Sequence, residues 1–152
     1  MIFLLVLIIN KLYNFFRYIN TSEFNDSVDI FITCYKENEN IIIKTIDNSL
    51  NINYKNKFIY VCDDGNNINI KNYCDKITNA YQINNLKYIS RENNDHYKAG
   101  NLNNVLKQSY GKYIIVLDAD MIPNNNIVHD LYKYFTNNNS TYINPSIFSQ
   151  IP

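Results

Sequence analysis

The chain has no tryptophan, few cysteines, no excess of charge of either sign, and no apolar run long enough to cross a bilayer. Its three cysteines, Cys34, Cys62 and Cys74, are odd in number and show no C-x-x-C spacing. That excludes a disulfide scaffold and a zinc site, and fits a reducing compartment. Fourteen basic residues balance fourteen acidic ones and no basic block stands out. An electrostatic footprint for nucleic acid is therefore lacking, and no nucleic-acid partner is expected. The apolar run Ile2 to Ile9 stops at Asn10 and Lys11, well short of the roughly 20 residues a spanning helix needs. No basic residue precedes the run and no small-residue site follows it, so a cleaved signal peptide is a poor fit.

What is present describes one folded unit. The 152 residues suffice for a single domain with a real core, and 46% are apolar, with 14 Tyr and 8 Phe to fill it. Leu5, Ile8, Leu12, Phe15, Phe16 and Ile19 fall on one helical face, with Asn10, Asn14 and Arg17 on another. Two readings follow: a short membrane-embedded segment running into an interfacial helix, or a helix packed on a soluble core. The first is preferred, with Lys11 and Arg17 favouring the cytoplasmic side. The expected organisation is a membrane-associated segment over residues 1–20, a polar linker over 21–27, and one domain over 28–152. Asparagine runs such as Asn124–Asn126 and Asn137–Asn139 read as compositional filling of loops.

From Val28 the pattern alternates. Strands are expected at Val28–Thr33, Lys57–Cys62, Leu86–Ser90 and Tyr113–Leu117. Helices are expected at Glu39–Leu50, with Ile42, Ile43, Ile46 and Leu50 inward, and at Ile68–Tyr81, Ala99–Ser109 and Ile127–Phe135. Strands alternating with helices at this spacing indicate βαβ units and an α/β fold with a parallel sheet flanked by helices. The fourth strand reads as buried on both faces, and the segment from Tyr142 as the start of a further element.

Ligands of such sheets collect at the carboxyl ends of the strands, and here those ends are polar. Strand one is followed by Thr33, Tyr35 and Glu37, and strand two by Asp63, Asp64 and Gly65. Strand four ends in Asp118 and Asp120. The stretch His96–Asn103 enters a helix whose N-terminus favours anions, with Lys98 adding a full positive charge and Gly100 leaving room for close approach. By itself Asp-x-Asp is equally a capped, solvated turn or a divalent-cation site. Taken together, clustered carboxylates and a diphosphate repel unless a cation such as Mg²⁺ or Mn²⁺ lies between them. A nucleoside diphosphate carrying a leaving group fits this pattern, with Asp63 and Asp64 left to accept hydrogen bonds from the base or ribose.

Thr33-x-Tyr35-x-Glu37, Asp63-Asp64-Gly65, Lys98-Ala-Gly-Asn-Leu-Asn103 and Asp118-Ala-Asp120-x-x-Pro123 resemble, in that order, the successive motifs of family 2 glycosyltransferases. The Lys-Ala-Gly-Asn-Leu-Asn run ahead of Leu-Asp-Ala-Asp is most similar to the processive β-glycan synthases of the cellulose synthase type. The resemblance runs from Val28 to the end, where Gln150-Ile-Pro152 resembles the opening of a Gln-Thr-Pro segment. It implies a GT-A-type nucleotide-sugar-binding domain that uses a UDP-sugar donor with Mg²⁺ or Mn²⁺ and acts by inverting transfer to a glycan acceptor hydroxyl. On that basis Asp64, with Asp63, contacts the uridine, and Thr33, Tyr35 and Glu37 line the nucleoside side. Lys98 meets the diphosphate, Asp118 serves donor sugar and metal, and Asp120 is the stronger metal ligand.

The sequence also departs from the family. Lys36 stands where Asn is usual, and Thr33 and Asn38 replace frequent prolines. The Thr-Glu-Asp-type acid that deprotonates the acceptor and the Gln-x-x-Arg-Trp segment that binds it are not found, so the expectation is the donor-binding half, incomplete at the C-terminus. An inactive UDP-sugar-binding remnant is the alternative. A haloacid-dehalogenase-like phosphatase also begins with a strand-end Asp-x-Asp, but it needs acid and lysine motifs well downstream of the pair. His96 reads as an exposed loop residue and Cys34 and Cys62 as inert packing; His129 has no role.

Overall fold

The computed structural model describes residues 24–138. Expectations for residues 1–20 and for the segment from Tyr142, including Gln150, fall outside them. In chain order the elements are β1 (Val28–Cys34), α1 (Glu39–Leu50), β2 (Lys57–Asp63), α2 (Ile68–Tyr81), β3 (Leu86–Ser90), α3 (Tyr97–Leu106), β4 (Tyr113–Asp118) and α4 (Ile127–Asn138). All four strands run parallel in the order β3-β2-β1-β4.

The order explains a difference from expectation. All seven residues of β1 are buried, because β1 lies between β2 and β4. Among the described residues strand β4 is at the edge of the sheet, its burial alternates, and Ile114 is 40% exposed. Its apolar run is as rich as that of β1, but a neighbour on each side is decided by topology, not by composition.

The two sheet faces carry separate cores. Val28, Ile30, Ile32, Ile59, Val61, Ile115 and Leu117 face α1, α2 and α4, meeting Ile42, Ile46, Ile70, Cys74 and Leu131. Phe31, Tyr60, Cys62 and Ile89 face Val105 of α3. Successive strand residues alternate between these clusters, as a pleated strand covered on both sides requires.

Asparagine does more than fill loops. Asn38 caps α1 by accepting from the Asn40 amide, and Asn67 caps α2 by accepting from the amides of Asn69 and Ile70. An uncapped helix start would leave those donors without partners. Residues ahead of Val28 pack on the domain: Phe24 stacks on Tyr54 and Tyr132, and Asp26 pairs with Lys112. These contacts lie at the amino ends of the strands, the pole opposite the polar rim.

Candidate donor-binding site

Parallel register brings the strand ends to one rim. Cys34 pairs with Asp63, Thr33 with Asp118, and Asp63 with Ser90. The residues after β1, β2, β3 and β4 therefore emerge side by side. The structure divides them into two neighbouring groups.

The first group surrounds a cleft of about 330 Å³ lined by Tyr35, Lys36, Asp64, Gly65 and the loop Glu92–Asp95, a volume within the range of small-molecule sites. Tyr35 is 44% exposed at its edge, and the Lys36 ammonium lies 4.9 Å from the Tyr35 ring centroid. Glu37 does not line the cleft. It accepts from the Tyr35 backbone amide at 2.7 Å and so shapes the turn that presents the ring.

Asp63 and Asp64 are adjacent but differ in environment. Asp63 is buried, and both its oxygens are engaged: one by the Gly65 amide, the other by the Asn67 amide and the Tyr88 hydroxyl, each at 2.7 Å. Loss of water, together with the buried Asp63 carboxylate beside it, pushes the Tyr88 phenol well above its ordinary range. Asp63 thus organises the turn from inside. Asp64 lies on the cleft wall and is gripped by Arg91, Nε to Oδ1 at 2.6 Å and Nη2 to Oδ2 at 2.7 Å. Hydrogen bonding to Asp64 raises the pKa of the already permanent guanidinium charge further.

Gly65 is required by proximity. A Cβ there would lie 1.6 Å from the Tyr35 carbonyl oxygen, so only glycine lets the β2 turn lie against the β1 turn. Gly100 is likewise closely approached by its neighbours. Its Cβ would lie 2.0 Å from the Asp95 carbonyl oxygen and 2.5 Å from Nη1 of Arg91.

The second group lies at the end of β4. The Thr33 hydroxyl lies 3.2 Å from both the Leu117 carbonyl and Oδ1 of Asp118, and Lys98 forms an ion pair with that same carboxylate oxygen. Ala119 is buried, and its carbonyl accepts from the Thr45 hydroxyl of α1 at 2.6 Å. Pinned there, the short turn holds Asp118 toward Lys98 and leaves Asp120 exposed, with no hydrogen bond or ion pair among the described residues. His96 is exposed, as expected.

The donor set at Asp118 and Asp120 suits a hard divalent cation. Among the described residues no three His, Cys, Asp or Glu side chains are grouped to hold a metal unaided. Mg²⁺ and Mn²⁺ commonly take only one or two carboxylates and complete their shell with phosphate oxygens and water. Asp118 already draws a cationic group, the Lys98 ammonium, to its oxygen. Arg91 is the rim residue that sequence reasoning passed over. Its signal was positional: it directly follows β3, at the same strand-end level as Asp64.

The chain is similar to known proteins in sequence and in fold. Residues 29–151 match the model of Glycosyl transferase family 2. The cellulose synthase catalytic subunit (UDP-forming) of Pseudomonas fluorescens is 36% identical over 99 residues, covering 64% of this chain and 12% of that protein. The cellulose synthase 1 catalytic subunit (UDP-forming) of Komagataeibacter xylinus is 34% identical over the same length and shares. The chain thus spans about an eighth of the length of these curated relatives. In fold it is similar to the mannosyltransferase PcManGT of Pyrobaculum calidifontis, solved in complex with GDP-Man and Mn²⁺, with TM-score 0.66, 16% identity, and coverage of 86% of this chain and 40% of that one. It is also similar to S. aureus TarS 1-349 in complex with UDP, with TM-score 0.62, 20% identity, and coverage of 75% and 33%. The fold is the GT-A type of nucleotide-sugar-dependent glycosyltransferases, and the chain belongs to glycosyl transferase family 2.

Proposed function

We propose that this domain binds a UDP-sugar at the strand-end rim with Mg²⁺ or Mn²⁺, and that it is the donor half of an inverting hexosyltransferase of the cellulose or β-glucan synthase kind. The observation that carries the reading is the pairing of Lys98 with Asp118 beside the Tyr35–Asp64 cleft. It sets a nucleoside-sized recess next to a cationic and an anionic group suited to a metal diphosphate. The UDP-forming relatives and the UDP complex of TarS support uridine as the nucleoside. The Mn²⁺ in the mannosyltransferase neighbour supports a divalent cation.

In this reading Asp64 accepts hydrogen bonds from the base and Tyr35 supplies an apolar edge for it. Lys98 leaves Asp118 for the outer diphosphate oxygens, adding positive charge where the departing UDP gathers negative charge. Thr33 keeps Asp118 oriented while this exchange takes place. Asp120 and Asp118 would hold the metal, which when bound supplies Lewis-acid stabilisation of the leaving diphosphate. The donor sugar then lies over the end of β4, where an acceptor hydroxyl has access. The glycan acceptor, membrane association through residues 1–20, the linker at 21–27, the domain from 28 to 152 and a cytoplasmic placement belong to the same proposal. Among the described residues no helix is long and apolar enough to cross a membrane.

Calorimetry with UDP, with and without Mn²⁺, on the wild type and Asp120→Ala is the test. The expected result is metal-enhanced binding in the wild type and loss of that enhancement in the variant. Binding that ignores the metal and is unchanged by the substitution overturns the assignment.

A further inference from the structure

We propose that Arg91 is the positioning residue of this site, holding the base-side acid and the phosphate-side lysine in one preset arrangement. This rests on the UDP-binding reading of the rim. One edge of the guanidinium forms the two-pronged grip on Asp64, at 2.6 and 2.7 Å. The group also reaches the other way, with Nη1 donating to the Asp95 carbonyl at 2.6 Å and Nη2 to the Tyr97 carbonyl at 2.9 Å. Tyr97 directly precedes Lys98. A single side chain therefore ties the end of β2 to the entry of α3, where the phosphate-side charge is mounted.

The entry to α3 needs such an anchor. His96 and Tyr97 are consecutive non-glycine residues in the left-handed region, at φ 61° and 49°, a conformation kept only where surroundings enforce it. His96 at the N-cap makes no side-chain capping bond, so the turn is not held by the usual local device. Packing supplies the restraint. Gly100 sits so close to Nη1 of Arg91 that a Cβ would come within 2.5 Å of it, and Asn66 donates to the Arg91 carbonyl at 3.1 Å. The side chains of Arg91 and Asp64 are only 13% and 7% exposed, so water competes weakly for these bonds. A lysine at this position keeps the charge but cannot form a planar fork and two carbonyl bonds at once.

The role predicts two effects of Arg91→Lys. In the ligand-free protein, the Tyr97 and Gly100 amides, which donate to the carbonyls of Asn94 and His96, should exchange hydrogen roughly tenfold faster or more, while amides of β1 are unaffected. In calorimetry with Mn²⁺ present, uridine affinity should fall roughly tenfold, and UDP affinity by a larger factor because Lys98 is displaced as well. Equal factors for uridine and UDP confine Arg91 to the base pocket and overturn the coupling. Unchanged exchange at Tyr97 and Gly100 overturns the positioning role itself. If wild-type protein binds neither ligand, the donor-site reading fails, and the exchange measurement alone decides whether Arg91 holds the α3 entry. Should Arg91→Lys not fold, Asp64→Asn removes the opposite jaw of the same clamp. It must then speed exchange at Tyr97, and no change there overturns the proposal.

Discussion

The Lys98 ammonium is ion-paired with Oδ1 of Asp118, the same oxygen that lies 3.2 Å from the Thr33 hydroxyl. Lys98 is in the first turn of α3, where a positive charge opposes the helix dipole. Asp118 offsets that cost, and a diphosphate would offset it better. Replacing Lys98 by Met should weaken UDP binding in the presence of Mn²⁺ by roughly ten- to a hundredfold, as loss of a charge-assisted contact does. Mn²⁺ alone should bind the variant no worse than the wild type, because a competitor for Asp118 has been removed. UDP affinity unchanged by the substitution would falsify the phosphate role of Lys98.

Asp63 is held inside its own turn, beside Asp64 on the cleft wall. Its three hydrogen bonds come from two backbone amides of the β2 turn and the Tyr88 phenol of β3. In Asp63→Asn, an NH₂ group must face one of these donors and the charge is lost. A stability loss of about 3 kcal/mol is expected, read as a lower urea midpoint. A variant as stable as the wild type would show that the turn does not depend on this carboxylate.

Gly65→Ala tests the close approach of the first two turns. The added methyl would meet the Tyr35 carbonyl carbon at 2.7 Å and its oxygen closer still, and neither is a flexible side-chain end. Separating the turns should cost about 2–3 kcal/mol, and it should also widen the cleft and weaken uridine binding. Thermal unfolding and calorimetry measured on one sample separate the two effects. A fall in stability with uridine affinity intact would show that the cleft tolerates the displacement.

Buried thiols give a prediction at alkaline pH. Cys34, Cys62 and Cys74 are free and buried, and loss of water is the main cause that raises all three thiols. At pH 8 none should react with a disulfide reagent in the folded protein, and all three should react in denaturant. The Cys74 thiol is pushed from 9.0 to about 12, and the Tyr60 phenol from 10.0 to about 12, both chiefly by burial. Their folded-state pKa values are raised, so the unfolded chain releases these protons first. The stability they contribute is complete below pH 9 and declines as pH rises from 9 toward 12. Urea midpoints should fall across that window, and Cys74→Ala should flatten the early part of the decline.

Much of the rim was legible because its signals are local. Asp-Asp-Gly and Asp-Ala-Asp each follow an apolar run, and a parallel sheet sends such ends to one edge whatever the details. Distinguishing Asp63 from Asp64 was beyond the sequence. The two differ by which way a turn points them, and that depends on Tyr88 and Arg91, both roughly 25 residues away in the chain. Asparagine misled for a related reason: Asn38 and Asn67 cap helices only because of the backbone angles of their own turns, while elsewhere the residue does fill loops.

By itself the sequence determined the alternation of strand and helix, the parallel sheet, the family, and which strand ends carry charge. Periodicity and short motifs are properties of neighbouring residues, and neighbours are what a sequence records. Only the tertiary structure decided that β4 lies at an edge of the sheet among the described residues, that both oxygens of Asp63 are engaged within the fold, that Gly100 makes room for Arg91, and that Lys98 rests on Asp118. Each of these depends on which distant groups share a few ångströms of space, and that follows from the order in which the strands pair.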